Sequence, residues 1–199
     1  MARLAAGLGE GERRIVAIAG APGSGKSTLA ERLVSDLGDA AALMPMDGFH
    51  YDDEVLVPRG WRARKGAPHT FDVAGLATTY RRLRAADADV AVPRFDRDLE
   101  IARAGAIIIP KDVPVIITEG NWLLLAEPPW DTLASLFDVT AMMDVPEAEL
   151  HRRLSARWEG YALPLEEVAA KVDGNDMVNA RLVIGQSRPA DVTIQGTTI

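Results

Sequence analysis

The sequence predicts a three-layer α/β domain around a mainly parallel sheet. Short apolar runs alternate with stretches of helical spacing, the run at residues 113–118 is strongly β-branched, and several runs end in Gly, Asp or Glu, as strands do at the carboxyl edge of an open sheet. A chain of 199 residues holds one domain with a proper core and is short for two. We therefore read residues 1–199 as a single domain.

Residues 1–12 are rich in Ala, Gly and Glu and read as a flexible lead-in or a short helix. Residues 15–19 form an apolar run ended by Gly20, the pattern of a buried parallel strand. Residues 26–37 follow with helical spacing, and Gly38 is their stop. Residues 42–46 predict the next strand, which leads into Asp47 and Gly48. From 49 to 72 the pattern breaks into Pro, Gly, Arg and Lys, which predicts an irregular insertion on the substrate side of a site. Helical spacing returns over 73–86, residues 90–92 predict a strand closed by Pro93, and residues 106–109 one arm of a hairpin at the sheet margin. The run at 113–118 predicts a central strand that delivers Glu119 and Gly120 at its end. Residues 139–145 predict a strand, Pro146 a helix reaching Trp158, and residues 165–183 a helix interrupted near Gly174. The last predicted strand is 191–195.

The content of 48% hydrophobic and 26% charged residues is that of a globular chain. A formal net charge of -7 opposes binding to a nucleic-acid backbone, so any bound anion must be held locally. The absence of cysteine excludes disulfides, thiolate catalysis and Cys-based zinc sites. The first residues lack a signal-peptide pattern and no apolar stretch reaches membrane-spanning length, which leads us to expect a soluble cytoplasmic protein with no membrane insertion. The composition is equally compatible with a monomer and a homodimer.

One motif carries clear chemistry. Gly20, Ala21, Pro22, Gly23, Ser24, Gly25, Lys26 and Ser27 satisfy G-x-x-x-x-G-K-[ST] between a predicted strand and a predicted helix, with Thr28 next in line. Glycines let successive N–H groups turn inward around a phosphate at a helix N-terminus. Lys26 adds charge at the β- and γ-phosphates of ATP, and the Ser27 hydroxyl is a ligand for Mg2+. Such a loop alone serves kinases, ATPases and switches alike.

Phosphoryl transfer to an alcohol also needs a carboxylate at the acceptor hydroxyl, an acidic group near the metal, and arginines against the transferring charge. Asp47, in MPMDGFHY, is the candidate base, the bland alternative being a turn aspartate. Glu119, in VIITEGNW, is the candidate for Mg2+ or for orienting the acceptor. Arg153 and Arg157, four apart in LHRRLSARWEG, share a helical face within a lid region at 151–162 and are the candidates to close over the phosphates. His50, Arg64, Lys65 and Phe95 complete the acceptor-side set with Asp47 and Glu119, and Arg59 and Arg62 lie in the same irregular segment as Arg64. His50 and His69 lack a metal-ligand partner four residues on and read as packed or hydrogen-bonded side chains. Asp96, Asn175 and Asn179 are weaker candidates.

Taken together, GAPGSGKST, MDGFHY, RKGAPHTFDV, PRFDR, VIITEGNWLLL and RRLSARW resemble the phosphoribulokinase, uridine kinase and bacterial pantothenate kinase superfamily, in order over residues 15–194. Within it the chain looks similar to small kinases associated with fructose transport systems, through MDGFH and KGAP-TFD. The resemblance implies a P-loop kinase fold of the nucleoside and nucleotide kinase type with a five-stranded parallel core. It implies Asp47 as base, Glu119 at the metal and acceptor, and Arg153 and Arg157 on phosphates. It further implies that residues 190–192 lead the last strand near the adenine, with residues 186–188, Arg188 among them, beside the base. MDGFH departs from the uridine kinase pattern, and the long C-terminal portion of pantothenate kinases is missing. The implied reaction moves the γ-phosphate of ATP to a hydroxyl of a small metabolite, a sugar such as fructose, with a nucleoside, pantothenate or glycerate as alternatives. A regulatory ATPase of a transport system is the reading of another class.

Overall fold

The computed structural model describes residues 12–161 and 163–196. The lead-in expected at 1–12 thus lies outside the described residues except for Glu12. In chain order the elements are β1 (Arg14–Gly20), α1 (Lys26–Leu37), β2 (Ala41–Pro45), α2 (Asp53–Leu56), α3 (Val73–Ala85), β3 (Val90–Asp96), β4 (Ile101–Ile109), β5 (Val115–Gly120), β6 (Val139–Asp144), α4 (Glu147–Glu159), α5 (Leu165–Lys171), α6 (Met177–Gln186) and β7 (Val192–Gln195).

Five strands form one sheet in the order β2-β5-β1-β6-β7, every neighbouring pair parallel. β5 is buried along its whole length and β1 along all but its first residue, as their unbroken apolar sequences require of strands covered on both faces. Successive side chains go to opposite layers. Ile15, Ala17, Ala19 and Ile116 face a large core filled by Leu76, Tyr80 and Leu83 of α3, Leu150 and Leu154 of α4, and Ala180 and Val183 of α6. Val16, Ile18, Val115 and Ile117 face the other way, against Leu29, Ala30, Leu33 and Val34 of α1. Arg13 ties the layers together at the foot of β1: its buried guanidinium donates to the carbonyls of Val113 at 2.8 Å, Leu83 at 2.8 Å and Pro110 at 2.6 Å. No helix among the described residues is long and apolar enough to cross a membrane.

Three elements depart from the sequence expectation. Pro93 does not close its strand: β3 runs through it, and the register against β4 slips between Val92 and Arg94, where proline has no N–H to give the ladder. The β3–β4 hairpin is not at the sheet margin but forms its own two-stranded antiparallel sheet. The helix expected over 165–183 is not broken at Gly174; α5 passes into α6 through a π-turn, Val172–Asp176, which keeps the chain helical while shifting its faces. Residues 49–72 are irregular as expected, though locally ordered by α2 and two 3₁₀ turns.

Candidate active site

The phosphate loop joins β1 to α1. Gly23 and Gly25 hold φ of 77° and 88°, a region that side chains disfavour, and Gly25 is the N-cap of α1 with no side-chain cap. The first N–H groups of the helix are therefore left for an anion. Lys26 and Glu119 approach each other across the top of the sheet, Nζ to Oε2 3.9 Å, with side chains only 13% and 8% exposed. The strand register explains the meeting: Glu119 pairs with Ile18 on one side and Pro45 on the other, at the carboxyl ends of β5, β1 and β2.

Asp47 lies two residues past β2, in the 3₁₀ turn Met46–Phe49. Gly48 is needed there because a Cβ would collide with the Pro93 carbonyl, so the turn and the β3–β4 hairpin lie in direct contact. That contact brings in a residue that sequence reasoning missed. Arg97, at the hairpin turn, donates from Nη2 to Asp47 Oδ2 at 2.7 Å. Asp96, the weaker sequence candidate beside it, pairs with Arg103 inside the hairpin.

The two carboxyl groups titrate in opposite directions. Burial pushes Asp47 up, but the charges of His50, Arg97 and Lys26 outweigh it and hold Asp47 below the usual carboxylate range. Burial raises Glu119, the nearby Asp47 adds to the rise, and Lys26 with a hydrogen bond from Ser27 only partly opposes it. Burial lowers His50, with Asp47 opposing the shift; its Nδ1 lies 2.8 Å from the Asp47 carbonyl and its ring packs on Phe71 and Phe95.

A cavity of about 630 Å³ opens between the loop and the hairpin. Pro22, Gly23, Gly25, Lys26, Ser27 and Thr28 line its phosphate end, and Asp47, His50, Lys65, Phe95 and Arg97 the other; Arg157 and Trp158 of α4 border it from above. Gly20, Ala21 and Ser24 lie beneath this surface. Six cations line the cavity (Lys26, Arg62, Lys65, Arg97, Arg157, Lys171) against three acidic residues (Asp47, Glu100, Asp176), a local excess in a chain of net charge -7. Asn121, directly after Glu119 and Gly120, also lines it, and its Oδ1 is buried with no hydrogen-bond partner. The Asp176 carboxyl, raised by burial, takes the Trp158 indole N–H at 2.7 Å.

Three expected site arginines do not line this cavity. Arg153 is not on the cavity wall: it pairs with Glu149 at 2.7 Å and donates to the carbonyls of Gly196 at 2.6 Å and Gly23 at 3.4 Å, bracing the loop from behind. Arg64 is off the cavity wall but holds residues that line it, donating to Gly174 O at 2.6 Å and Asn179 Oδ1 at 3.1 Å, while Asn175 donates to Lys65 O. Arg188 donates to the carbonyls of Leu125 and Asp131 and borders a separate cavity of about 250 Å³ that also reaches Ala21. In each case the guanidinium found backbone carbonyls distant in sequence, which no local sequence pattern announces.

No family model matches the chain. It is 32% identical over 199 residues to a protein of Schizosaccharomyces pombe (strain 972) provisionally named uridine kinase C227.14, covering 92% of this chain and 83% of that one. It is 34% identical over 190 residues to the uncharacterised protein YggC of Escherichia coli (strain K12), covering 93% and 78%. Among solved structures, a provisionally named fructose transport system kinase from Silicibacter sp. TM1040 superposes with a TM-score of 0.87 at 43% identity, covering 92% of this chain and 90% of that one. The phosphate loop, the two carboxylates at the strand ends and these likenesses agree, and the chain belongs to the P-loop kinase family of uridine kinase, bacterial pantothenate kinase and phosphoribulokinase, phosphotransferases with an alcohol group as acceptor.

Proposed function

We propose that this kinase transfers the γ-phosphate of ATP to a hydroxyl of a sugar or a sugar-like metabolite, with Asp47 as the base. The observation that carries the reading is the Asp47 carboxylate, paired with Arg97, on the same cavity as the phosphate loop. ATP would lie with its phosphates on Gly23–Thr28, Lys26 bridging the β- and γ-phosphates and Arg157 approaching from α4. The acceptor would occupy the end bordered by His50, Lys65 and Phe95, with Asn121 Oδ1 free to accept from a second hydroxyl. Aromatic faces beside polar groups suit a polyhydroxylated molecule, and the name of the Silicibacter structure makes fructose the first acceptor to try.

Ser27 and Glu119 are neighbouring oxygen donors beside Lys26, which fits a hard cation such as Mg2+. No group of three or more His, Asp or Glu able to hold a metal occurs among the described residues, so these two would hold Mg2+ together with phosphate oxygens of the nucleotide. Bound there, the ion supplies positive charge to the transferring phosphoryl.

The test is product formation. Incubation with MgATP and a panel of fructose, other sugars, nucleosides, pantothenate and glycerate, read by mass spectrometry, should give one phosphorylated product. The Asp47→Asn variant should bind ATP normally and lose about 10²-fold or more of the transfer rate. ATP hydrolysis at full rate with every acceptor absent would instead support a regulatory ATPase.

A further inference from the structure

We propose that Arg97 is a second catalytic residue, which covers Asp47 in the resting enzyme and moves to the γ-phosphoryl group as the proton arrives on Asp47. The inference rests on the reading of Asp47 as base. Its ground is position. Arg97 sits at the turn between β3 and β4, with half of its side chain exposed, and its guanidinium lies 5.8 Å from the centre of the Phe95 ring. From there it reaches Asp47 at 2.7 Å, and its charge is also felt at Glu119, His50 and Asp176. It therefore lines the same cavity as the phosphate loop, with its guanidinium on the candidate base.

Three other arginines around the site are tied down, while Arg157 lies on the α4 side of the cavity with its guanidinium over the Trp158 ring. Arg62 is paired with Asp53, Arg64 with the π-turn, and Arg153 with Glu149 and Gly196. Arg97 has one ion-pair partner among the described residues, and that partner is the group whose charge the reaction removes.

Transfer forms a bond between the acceptor oxygen and the γ-phosphorus and breaks the bond from that phosphorus to the bridging oxygen, whose electron pair leaves with ADP. The acceptor's proton goes to Asp47. Once protonated, Asp47 no longer attracts the guanidinium, while negative charge is spread over the transferring oxygens nearby. A half-exposed arginine on a turn, resting on an aromatic face, can swing between the two with little reorganisation of the fold. In the resting state the same contact occupies Asp47 Oδ2, one of the two oxygens able to take the proton.

The test uses Arg97→Ala and Arg97→Lys with the acceptor found by the panel above, after melting curves confirm that both variants fold. For Arg97→Ala we expect kcat to fall about 10²-fold or more with the KM for ATP within about threefold, partial saturable recovery on adding millimolar guanidinium chloride, and intermediate kcat for Arg97→Lys. Wild-type kcat in the alanine variant, or a loss confined to the acceptor KM with no guanidinium rescue, overturns the proposal. If Asp47→Asn is inactive while Arg97→Ala is not, only this inference fails. If Asp47→Asn retains full turnover, the base assignment fails and takes the inference with it.

Discussion

Asp47 and Glu119 stand close enough to influence each other, yet the fold asks them to be different acids. Asp47 is held below the usual carboxylate range, so its ionised form stabilises the folded state above its unfolded pKa, and that contribution is lost as pH falls through its folded value. Glu119 has the opposite sign: raised mainly by burial, its contribution is present at low pH and is lost as pH rises through its folded value. The two amide variants should separate at pH 7 in the absence of ligand. Asp47→Asn should melt below the wild type and Glu119→Gln above it, the Glu119→Gln gain disappearing below the ordinary glutamate pKa. Equal melting shifts for both variants would contradict this assignment. Glu119→Gln should nonetheless lose phosphoryl transfer, since the amide is a poor ligand for Mg2+.

At the scale of elements, the strand, loop and helix around the nucleotide were readable because each step is local: an apolar run, glycines, then helical spacing that ends at Gly38. The placement of Asp47 and Glu119 was readable because one follows and the other ends a strand whose apolar pattern is short and sharply ended. Arg97 was not, because it is fifty residues from Asp47 and the contact depends on how the hairpin docks. Arg64 and Arg153 misled for the same reason, a charged side chain in a suggestive segment being equally able to seek a distant carbonyl. Docking of the hairpin can be tested at Gly48. Gly48→Ala should destabilise by about 1–3 kcal/mol in urea titration and lower kcat, because the turn bearing Asp47 must move away from Pro93. Arg13→Met leaves the carbonyls of Leu83, Pro110 and Val113 without their donor and should cost about 2–4 kcal/mol by the same titration, with the KM for ATP unchanged.

For the molecule as a whole, the cation-rich cavity is a local site for anion capture in a chain of net charge -7. MgATP binds only the folded chain, so at one hundred times its Kd it should add about 2.7 kcal/mol, a rise of roughly 5–10 °C in Tm for a domain of this size. Lys26→Ala should remove most of that rise, and replacing Mg2+ with EDTA should reduce it. A Tm rise preserved in the Lys26 variant would place the nucleotide away from the phosphate loop.

The β3–β4 hairpin builds its own small sheet and meets the main body where Pro93 rests on Gly48. The phosphate loop and both carboxylates belong to the body, while Phe95 and Arg97 ride on the hairpin. The foot of the hairpin is fixed by Val90, Val92 and Ile109 in the main core, so the exchangeable part is its tip: grafting residues 94–103 from a relative with another acceptor should retune substrate choice while the nucleotide half is inherited intact. The same division offers a natural route by which paralogues could diverge in substrate without rebuilding their phosphate chemistry.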